Sequence, residues 1–521
     1  MQVELPTTYQ DLSLWLGAIG LCCVAAYRLV QTLVFYHKCG KLAKTVPGVA
    51  GGLPILGQCI NMLRTSPWDL MTEWAKQYGP IYRFNLFGTQ CIVIADPHYM
   101  KEVMRTKMMK YHKDLVFAYK PFYSLLGTGI VTSEGQKWRQ QRNRVSSIFR
   151  IELLEEIPEI ALRATERLAV RLDEVSAKDE SIEIGEEFRH LTLQVISEVL
   201  LSLSPEESDE IFAHAYLPIV IEGHHRVWNP LREFCCFLPF WWQHRSNVAE
   251  LNSYMEGLID SRWELRKKEA SAGGTGRKQD VLDRIMNHFG PEDWTRATVR
   301  QIRDEMKTFV LAGHETSASM LNWALYELSQ RDDCCRKVVA EAEAVWGAKG
   351  LGLGAAGLAP KKELDKLQYT DAVLRESLRK YNLVPVVSRV AVEDTTIDGP
   401  QGQSHLIPKG SIVMLLIQGV HMREDIWPEP HEFSPERYDM PSPPAPYTFL
   451  PFIEGPRMCL GQYMSLLESK VVLSLLYHKY SFELQNAHNG GERHPWIIPV
   501  VPHHGTHIKV QLRKRAGGSV N

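Results

Sequence analysis

The stretch PFIEGPRMCLGQYMSLLESK, residues 451–470, places one cysteine in a glycine-containing loop that runs into a helical pattern. Cys459 stands at the predicted start of that helix, where unpaired backbone N–H groups and the helix dipole stabilise a thiolate. A thiolate is both a nucleophile and a soft metal ligand. Gly455 and Gly461 carry no side chains, so the backbone can approach a flat partner closely. Taken alone, the cysteine could equally be a buried structural thiol.

Composition narrows the possible classes of protein. The chain has 521 residues, 45% of them hydrophobic, which is enough for a large buried core. Its 59 basic and 61 acidic residues almost balance, so bulk charge indicates no nucleic-acid partner. Ten cysteines occur without a CxxC spacing, which favours reduced thiols in a cytosol-facing domain over a disulfide framework or a zinc site.

The N-terminus carries the one membrane signal in the sequence. An uncharged run spans residues 12–27, with Glu4 and Asp11 before it and lysines after it. This order predicts a single-pass anchor within residues 1–45 and a catalytic domain, residues 46–521, on the cytosolic side. A cleaved signal peptide is the alternative, but such a peptide begins with basic residues and this chain begins with acidic ones. The predicted location is the endoplasmic reticulum membrane, and one segment does not distinguish it from a plastid membrane.

Helical periodicity dominates the rest of the chain. Two strands are predicted on either side of Phe87–Thr89, and Pro97 then opens a helix. Glycines at 352, 354 and 357 have the GxGxxG spacing, but they follow a helical pattern and run into a proline, so a dinucleotide site is not indicated. The longer predicted helices are Leu153–Val175, Phe188–Leu203, Val248–Lys268, Val299–Gln330 and Thr370–Tyr381.

The cysteine loop resembles the haem-ligand loop of the cytochrome P450 monooxygenases. The pattern F-x-x-G-x-R-x-C-x-G is formed by Phe452, Gly455, Arg457, Cys459 and Gly461. The resemblance implies a mainly α fold with small β-sheets (α+β), in which haem b lies between a long central helix and this loop. It also implies that the Cys459 thiolate is the axial ligand of the haem iron and that the other four residues shape the cofactor site.

A second landmark lies inside the longest helical pattern, in FVLAGHETSASMLNW at residues 309–323. Gly313 costs a helix about 1 kcal/mol relative to alanine, which indicates a close approach or a local distortion. Glu315 and Thr316 follow as an acid and an alcohol, which can hold a water or move protons. The resemblance assigns them to proton delivery to dioxygen. A Ser/Thr-rich helix packed closely against a neighbour is the alternative.

A tryptophan and three arginines match positions that bind the haem propionates in the family. By the resemblance, the propionate-binding set is Trp138, Arg142, Arg389 and Arg457. Each arginine alone would more often be a plain surface charge. Lys137, Arg139 and Arg144 lie on the same short helix as Trp138 and would form a basic patch suited to an acidic electron donor, or would simply be solvated.

Glu376 and Arg379 have the i,i+3 spacing of a helical ion pair, which in most proteins is an exposed salt bridge. The resemblance implies instead that the pair is buried and that Arg437 completes it, with a structural role in the core. Glu454 departs from the small residue usual at its position in the family. We expect its carboxylate to pair with an arginine or to point outward.

The aromatic-rich stretch at residues 215–245 corresponds in the family to the lid over the substrate pocket, and ordinary core packing is the alternative. His224 and His225, within it, are interpreted as surface residues. From family position, the predicted pocket walls are residues 117–126, Ala312 and residues 384–387.

These observations predict a haem-dependent monooxygenase that inserts one atom of O2 into a lipophilic small molecule, such as a fatty acid, carotenoid, sterol or terpenoid. The resemblance implies that electrons come from NADPH through a flavoprotein reductase. Two alternatives stay open. One is a haem-thiolate isomerase or dehydratase of oxidised lipids, and the other is a non-catalytic haem-binding protein at a membrane. Glu315 and Thr316 argue against both, because neither needs a pair for proton delivery.

Overall fold

The computed structural model describes residues 44–513, except 55, 116, 150, 272–277, 348–360, 440–443 and 488–490, together with positions 23, 26, 27, 30, 31, 34, 35 and 37–42. Most of the predicted anchor at 12–27 and the glycine pattern at 352–357 lie outside the described residues. Within the part that is described, no helix combines the length and apolarity needed to cross a membrane.

Helices form most of the described fold, and the five longer predicted helices are all confirmed. Their ends are shifted by a few residues, except that the helix predicted from Val248 begins at Pro239. The α-helices are Cys59–Arg64, Pro67–Tyr78, Pro97–Lys101, Tyr123–Leu126, Gly135–Ile148, Ile151–Ala177, Ile184–Leu201, Pro205–Ile211, Leu217–Trp228, Pro239–Ser271, Val281–Met286, Arg296–Leu328, Asp332–Ala342, Lys361–Leu364, Gln368–Tyr381, Ile417–His421 and Gln462–Lys479. Shorter 3-10 and π-helical segments are Glu102–Thr106, Met108–Lys110, Lys120–Phe122, Phe212–Tyr216, Pro230–Phe234, Pro291–Asp293, Glu343–Gly347, Pro400–Gly402 and Pro435–Tyr438.

Arg296–Leu328 is the central helix. It begins where the Thr295 hydroxyl accepts a hydrogen bond from the Thr298 N–H, which satisfies one of the free donors at a helix start. It packs along Ile184–Leu201. At Gly313 an added Cβ would lie 2.6 Å from Ile196 Cδ1, so the glycine allows the two helices to approach closely. Close packing therefore accounts for a residue that is unfavourable in a helix.

The strands form small sheets, as predicted. They are β1 (Ile81–Leu86), β2 (Thr89–Ile94), β3 (Tyr111–Lys113), β4 (Ser181–Glu183), β5 (Val386–Ala391), β6 (Thr395–Asp398), β7 (Ser404–Ile407), β8 (Ile412–Leu416), β9 (Tyr480–Leu484) and β10 (His507–Leu512). The largest sheet has the order β1-β2-β8-β5-β3, and the others are β4-β10-β9 and β6-β7. β1 and β2 pair antiparallel across a turn in which Phe87 and Gly88 have φ of 48° and 74°. A positive φ suits glycine and explains why the chain reverses there.

Register in the largest sheet brings distant parts of the chain together. β2 runs parallel to β8, with Cys91 opposite Ile412, although 320 positions separate them. β3 pairs antiparallel with β5, which sets Lys113 opposite Arg389. This second pairing places two cations side by side next to the candidate site.

Residues 492–504 form an antiparallel hairpin, called here the 492–504 hairpin. The His494 N–H donates to the Val501 carbonyl at 2.8 Å, and the His503 N–H donates to the Glu492 carbonyl at 2.7 Å. The tip of the hairpin is fixed to two helices by side-chain hydrogen bonds to its carbonyls. Trp228 Nε1 donates to the Trp496 carbonyl at 2.6 Å, and Trp323 Nε1 donates to the Val500 carbonyl at 2.8 Å.

Candidate active site

The cysteine loop is held by its own backbone hydrogen bonds. The Cys459 N–H donates to the Phe452 carbonyl at 3.0 Å, and the Met458 N–H donates to the Gly455 carbonyl at 3.0 Å. Gly455 has a φ of 83°, and an added Cβ would lie 2.8 Å from the Met104 carbonyl oxygen. Both the conformation and the close neighbour therefore require glycine at this position.

The thiol of Cys459 lies at the start of the helix Gln462–Lys479. Burial raises its pKa, while the backbone N–H groups of Gly461 and Gln462 and the charge of Arg142 act in the opposite direction. Its side chain nevertheless has accessible surface, so a ligand can approach the sulfur. Gly461 has an ordinary φ of −83°, and an added Cβ there would come no closer than 3.9 Å to the sulfur. The missing side chain thus keeps the space beside the thiol open.

A cluster of cations lies in the same region as the thiol. Arg457 is buried enough that its pKa falls to about 10, with the charge of Glu134 opposing that fall and the charges of Arg389 and Arg142 adding to it. The Arg457 guanidinium lies 4.3 Å from the ring centre of Trp138. All four predicted propionate-binding residues therefore lie close together.

Lys113 is a further member of this cluster that the sequence did not reveal. Burial lowers its pKa well below the usual range, and the charges of Arg389 and Arg457 lower it further against the single opposing charge of Glu134. Its ammonium donates to the Tyr119 hydroxyl at 3.2 Å. Positive charge therefore exceeds negative charge at this buried place, which is unfavourable without an anion.

A haem group fits this set of residues. Its two propionates would supply the negative charge that the buried cations lack, and the Cys459 thiolate is the soft ligand suited to haem iron. Glu134 is the only carboxylate among the described side chains that contacts Arg457 directly. It also accepts the Lys113 backbone N–H at 2.5 Å. Glu134 directly precedes the helix Gly135–Ile148. Sequence analysis did not identify it as the acid that pairs with one of the three predicted arginines.

Glu315 and Thr316 lie on the central helix at the wall of an apolar cavity. The Thr316 hydroxyl donates to the Ala312 carbonyl at 2.6 Å, which leaves its oxygen able to accept a hydrogen bond from water. Burial alone would lower the pKa of Arg189, but the charges of Glu315 and Glu186 raise it. Arg189 is therefore an electrostatic partner of the acid that sequence reasoning did not find.

The cavity has a volume of about 400 Å³ and a wall that is mostly apolar. Residues from each segment predicted to form the pocket lie in it, and the tip of the 492–504 hairpin closes one side. The wall includes Ala118, Tyr119, His224, Ala312, Glu315, Thr316, Trp496, Ile498 and Pro499.

Two local expectations were wrong. His224 is not a surface residue, because its Nε2 lies 3.0 Å from the Ile498 carbonyl oxygen under the hairpin and its ring lines the cavity. Glu454 neither pairs with an arginine nor points freely outward. Its carboxylate accepts the Tyr447 N–H at 2.7 Å and so fixes the turn that leads into the cysteine loop.

Glu376, Arg379 and Arg437 meet in one network away from the cavity. Arg379 donates from two nitrogens to the two Glu376 oxygens, each at 2.8 Å, and both side chains are fully buried. Arg437 Nε adds a third contact to Glu376 at 3.2 Å. The geometry is that of a structural clamp, since none of the three lines the cavity or contacts the thiol region.

Glu468 is a buried acid on the helix that follows the cysteine loop. Burial raises its pKa to about 8, with only a weak opposing effect from the Ser317 hydroxyl, whose oxygen lies 3.4 Å from Glu468 Oε2. The folded protein therefore keeps a proton on this carboxyl at neutral pH, whereas the unfolded chain releases it above about pH 4.3.

We expect the Glu468 carboxyl to make the protein less stable as pH rises from about 5 to 8, because the unfolded chain binds fewer protons than the folded protein in that range. Glu468→Gln should abolish this pH dependence, which amounts to as much as about 4 kcal/mol in the free energy of unfolding. Chemical denaturation at the two ends of the range measures it. The exposed Glu483→Gln is the matched control, and equal pH dependence in wild type and Glu468→Gln would contradict the assignment.

Comparisons with known proteins agree with this geometry. The family model for cytochrome P450 matches residues 47–504. Cytochrome P450 4c21 of Blattella germanica is 28% identical over 480 residues, which cover 88% of this chain and 92% of the relative. Cytochrome P450 4V2 of Homo sapiens is 24% identical over 512 residues, which cover 91% and 92%. The chain therefore belongs to the cytochrome P450 family and is a haem monooxygenase, an oxidoreductase of the kind in which a cysteine thiolate binds the haem iron.

Proposed function

We propose that this monooxygenase oxidises an uncharged lipophilic small molecule, such as a sterol, carotenoid, terpenoid or lipid without a free acid group. The observation that carries the proposal is the apolar cavity of about 400 Å³ with Glu315 and Thr316 in its wall. Pockets of this size bury most of the surface of a small ligand, and their few polar groups set its orientation.

The charges around the cavity favour a neutral substrate over a free fatty acid. Among the described residues that line it, none is a lysine or an arginine, and Glu315 adds negative charge. A carboxylate would lose its hydration there without gaining a cationic partner, which is costly. Hydroxyl or carbonyl groups of a neutral substrate can instead meet Tyr119 or His224.

The roles of the residues follow from their surroundings. Haem, when bound, supplies the redox chemistry of dioxygen activation. Cys459 would hold its iron, the cations around Arg457 would bind its propionates, and Phe452, Gly455 and Gly461 would keep the loop close to its face. Glu315 can take up and release a proton at its carboxyl group, and the Thr316 hydroxyl can hold the water that passes the proton on.

We expect Glu315→Gln to lower turnover by about a hundredfold, because the amide keeps the shape of the acid and cannot release a proton at neutral pH. Substrate affinity should stay near that of wild type. Product formed per NADPH consumed measures the loss of coupling. Glu483→Gln is a matched control, since it makes the same change at an exposed position on β9. A fully active Glu315→Gln would contradict the proposed proton transfer.

The electron donor proposed is a flavoprotein reductase that uses NADPH. Lys137 and Arg139 are exposed on the helix Gly135–Ile148 and offer a basic docking surface. Arg144, expected to contribute to it, instead lies over the Phe289 ring at 4.8 Å. The single-pass anchor in the first 45 residues and the endoplasmic reticulum location rest on the sequence pattern alone.

The substrate class is tested by titrating the purified holoprotein with matched ligands while the haem Soret band is recorded. A fatty alcohol and the fatty acid of equal chain length form the key pair, beside a sterol, a carotenoid and a terpene. We expect the neutral ligands to shift the band at concentrations at least about tenfold lower than those needed with the acid. This ratio corresponds to about 1.4 kcal/mol in binding free energy. Tighter binding of the acid would overturn the neutral substrate.

A variant that fills the cavity locates the binding. Ala118→Trp places a large ring at the wall and should lower the affinity for the preferred ligand by at least about tenfold. Ala340→Trp makes the same change on an exposed helical face and should leave the titration unchanged. Equal effects of the two variants would show that ligands bind elsewhere.

A further inference from the structure

A cluster of potential metal ligands lies on the surface at the base of the 492–504 hairpin. Glu492, His503 and His504 each offer one ligand atom, and these atoms all lie within 4.8 Å of one another. His504 Nε2 lies 3.2 Å from a Glu492 carboxylate oxygen. The ring centres of His503 and His504 are 4.5 Å apart at an interplanar angle of 32°. All three side chains are exposed, so an ion has direct access to them.

The chemistry of the three donors selects the type of ion. Two imidazole nitrogens and one carboxylate oxygen form a set that zinc uses in proteins, with water completing four ligands. Calcium and magnesium prefer oxygen ligands alone, so they suit this set poorly. In a tetrahedral zinc site neighbouring ligand atoms are separated by about 3.4 Å, given Zn–N and Zn–O bonds of about 2.0 to 2.1 Å. Exposed side chains can close the remaining gap by rotating.

We propose that Glu492, His503 and His504 bind a divalent transition-metal ion of the zinc type. A fourth imidazole supports the placement of the site. The His494 ring centre lies 5.0 Å from that of His503, and His494 Nδ1 accepts the Trp496 N–H at 3.3 Å. This hydrogen bond holds the His494 ring against the cluster and leaves its second nitrogen for a water on the ion.

Metal binding at this place would stiffen the wall of the substrate cavity. Glu492 belongs to one strand of the hairpin, and the two histidines belong to the other, so one ion joins both strands at their base. The tip between them places Trp496, Ile498 and Pro499 in the cavity wall. This consequence rests on the proposed function of the cavity, whereas the metal site itself does not.

The site is tested by calorimetric titration of the tag-free holoprotein with zinc chloride. We expect one zinc per chain, and binding at least about tenfold weaker in the His503→Ala/His504→Ala double variant. His507→Ala is the matched control, because His507 lines a surface cleft together with His503 and His504 but lies outside the cluster. No zinc uptake by the wild type, or equal affinity in the double variant, would overturn the site.

Hydrogen exchange tests the effect on the hairpin without any substrate. Zinc should slow exchange of the His494 and His503 amide hydrogens, which cross the hairpin, in the wild type and in His507→Ala but not in the double variant. Calcium at the same concentration should have no effect. Zinc binding with unchanged exchange would overturn the stiffening, and neither result depends on whether the proposed substrate class is correct.

Discussion

Replacement of Cys459 by serine is expected to lower monooxygenase turnover at least about a thousandfold, equivalent to about 4 kcal/mol in activation free energy. Serine has nearly the same shape, but its hydroxyl stays protonated at neutral pH and is not the soft anionic ligand that haem iron needs. In wild type, the backbone N–H groups of Gly461 and Gln462 favour the thiolate of Cys459. In the serine variant no anion is present for them to stabilise. Product formation and the absorption spectrum of the reduced carbon monoxide complex measure the change.

The loss should be specific to this thiol and should not reflect unfolding. Cys236→Ser changes an exposed cysteine and is expected to keep both turnover and the thiolate spectrum of the wild type. Circular dichroism should show the same helical content in both variants, because the loop is held by backbone hydrogen bonds such as that from the Cys459 N–H to the Phe452 carbonyl. A Cys459→Ser protein with the wild-type spectrum would make the assignment of the ligand wrong.

The parts of the fold that the sequence predicts well are those set by neighbouring residues. The pattern over 299–330 predicts the central helix to within a few residues, because helix-forming residues continue there without a proline. Phe87 and Gly88 predict the turn between β1 and β2, since their positive φ values are a local property. The cysteine loop is equally local, so its residues are recognisable without any knowledge of distant contacts.

The residues that sequence reasoning missed depend on contacts between distant parts of the chain. Lys113 joins the cationic cluster only because β3 pairs with β5, and its three-residue strand carries no pattern of its own. The charges of Arg189 and Glu315 interact because two helices pack closely at Gly313. His224 was interpreted as a surface residue because nothing nearby in sequence shows that the hairpin tip at Ile498 covers it.

We expect Glu376→Gln to destabilise the protein by about 3 to 5 kcal/mol, the usual cost of removing one partner from a buried ion pair. Glu376 accepts from Arg379, Arg437 and the Ser434 N–H, and its side chain is fully buried. Glutamine keeps the size but leaves two guanidinium groups short of negative charge. Denaturation with urea, followed by circular dichroism, measures the difference in the free energy of unfolding.

An ion pair on the same helix provides the control. Asp371 and Arg375 form a partly exposed i,i+4 pair, and Asp371→Asn should cost no more than about 1 kcal/mol because water replaces the lost partner. Joint replacement of Glu376 and Arg379 by leucine should not restore stability. Arg379 also donates to the carbonyls of His421 and Pro430, and those oxygens would be left buried without a donor. A stable double variant would mean that the network contributes charge pairing alone. The bonds from Arg379 to the carbonyls of His421 and Pro430 would then contribute nothing to stability.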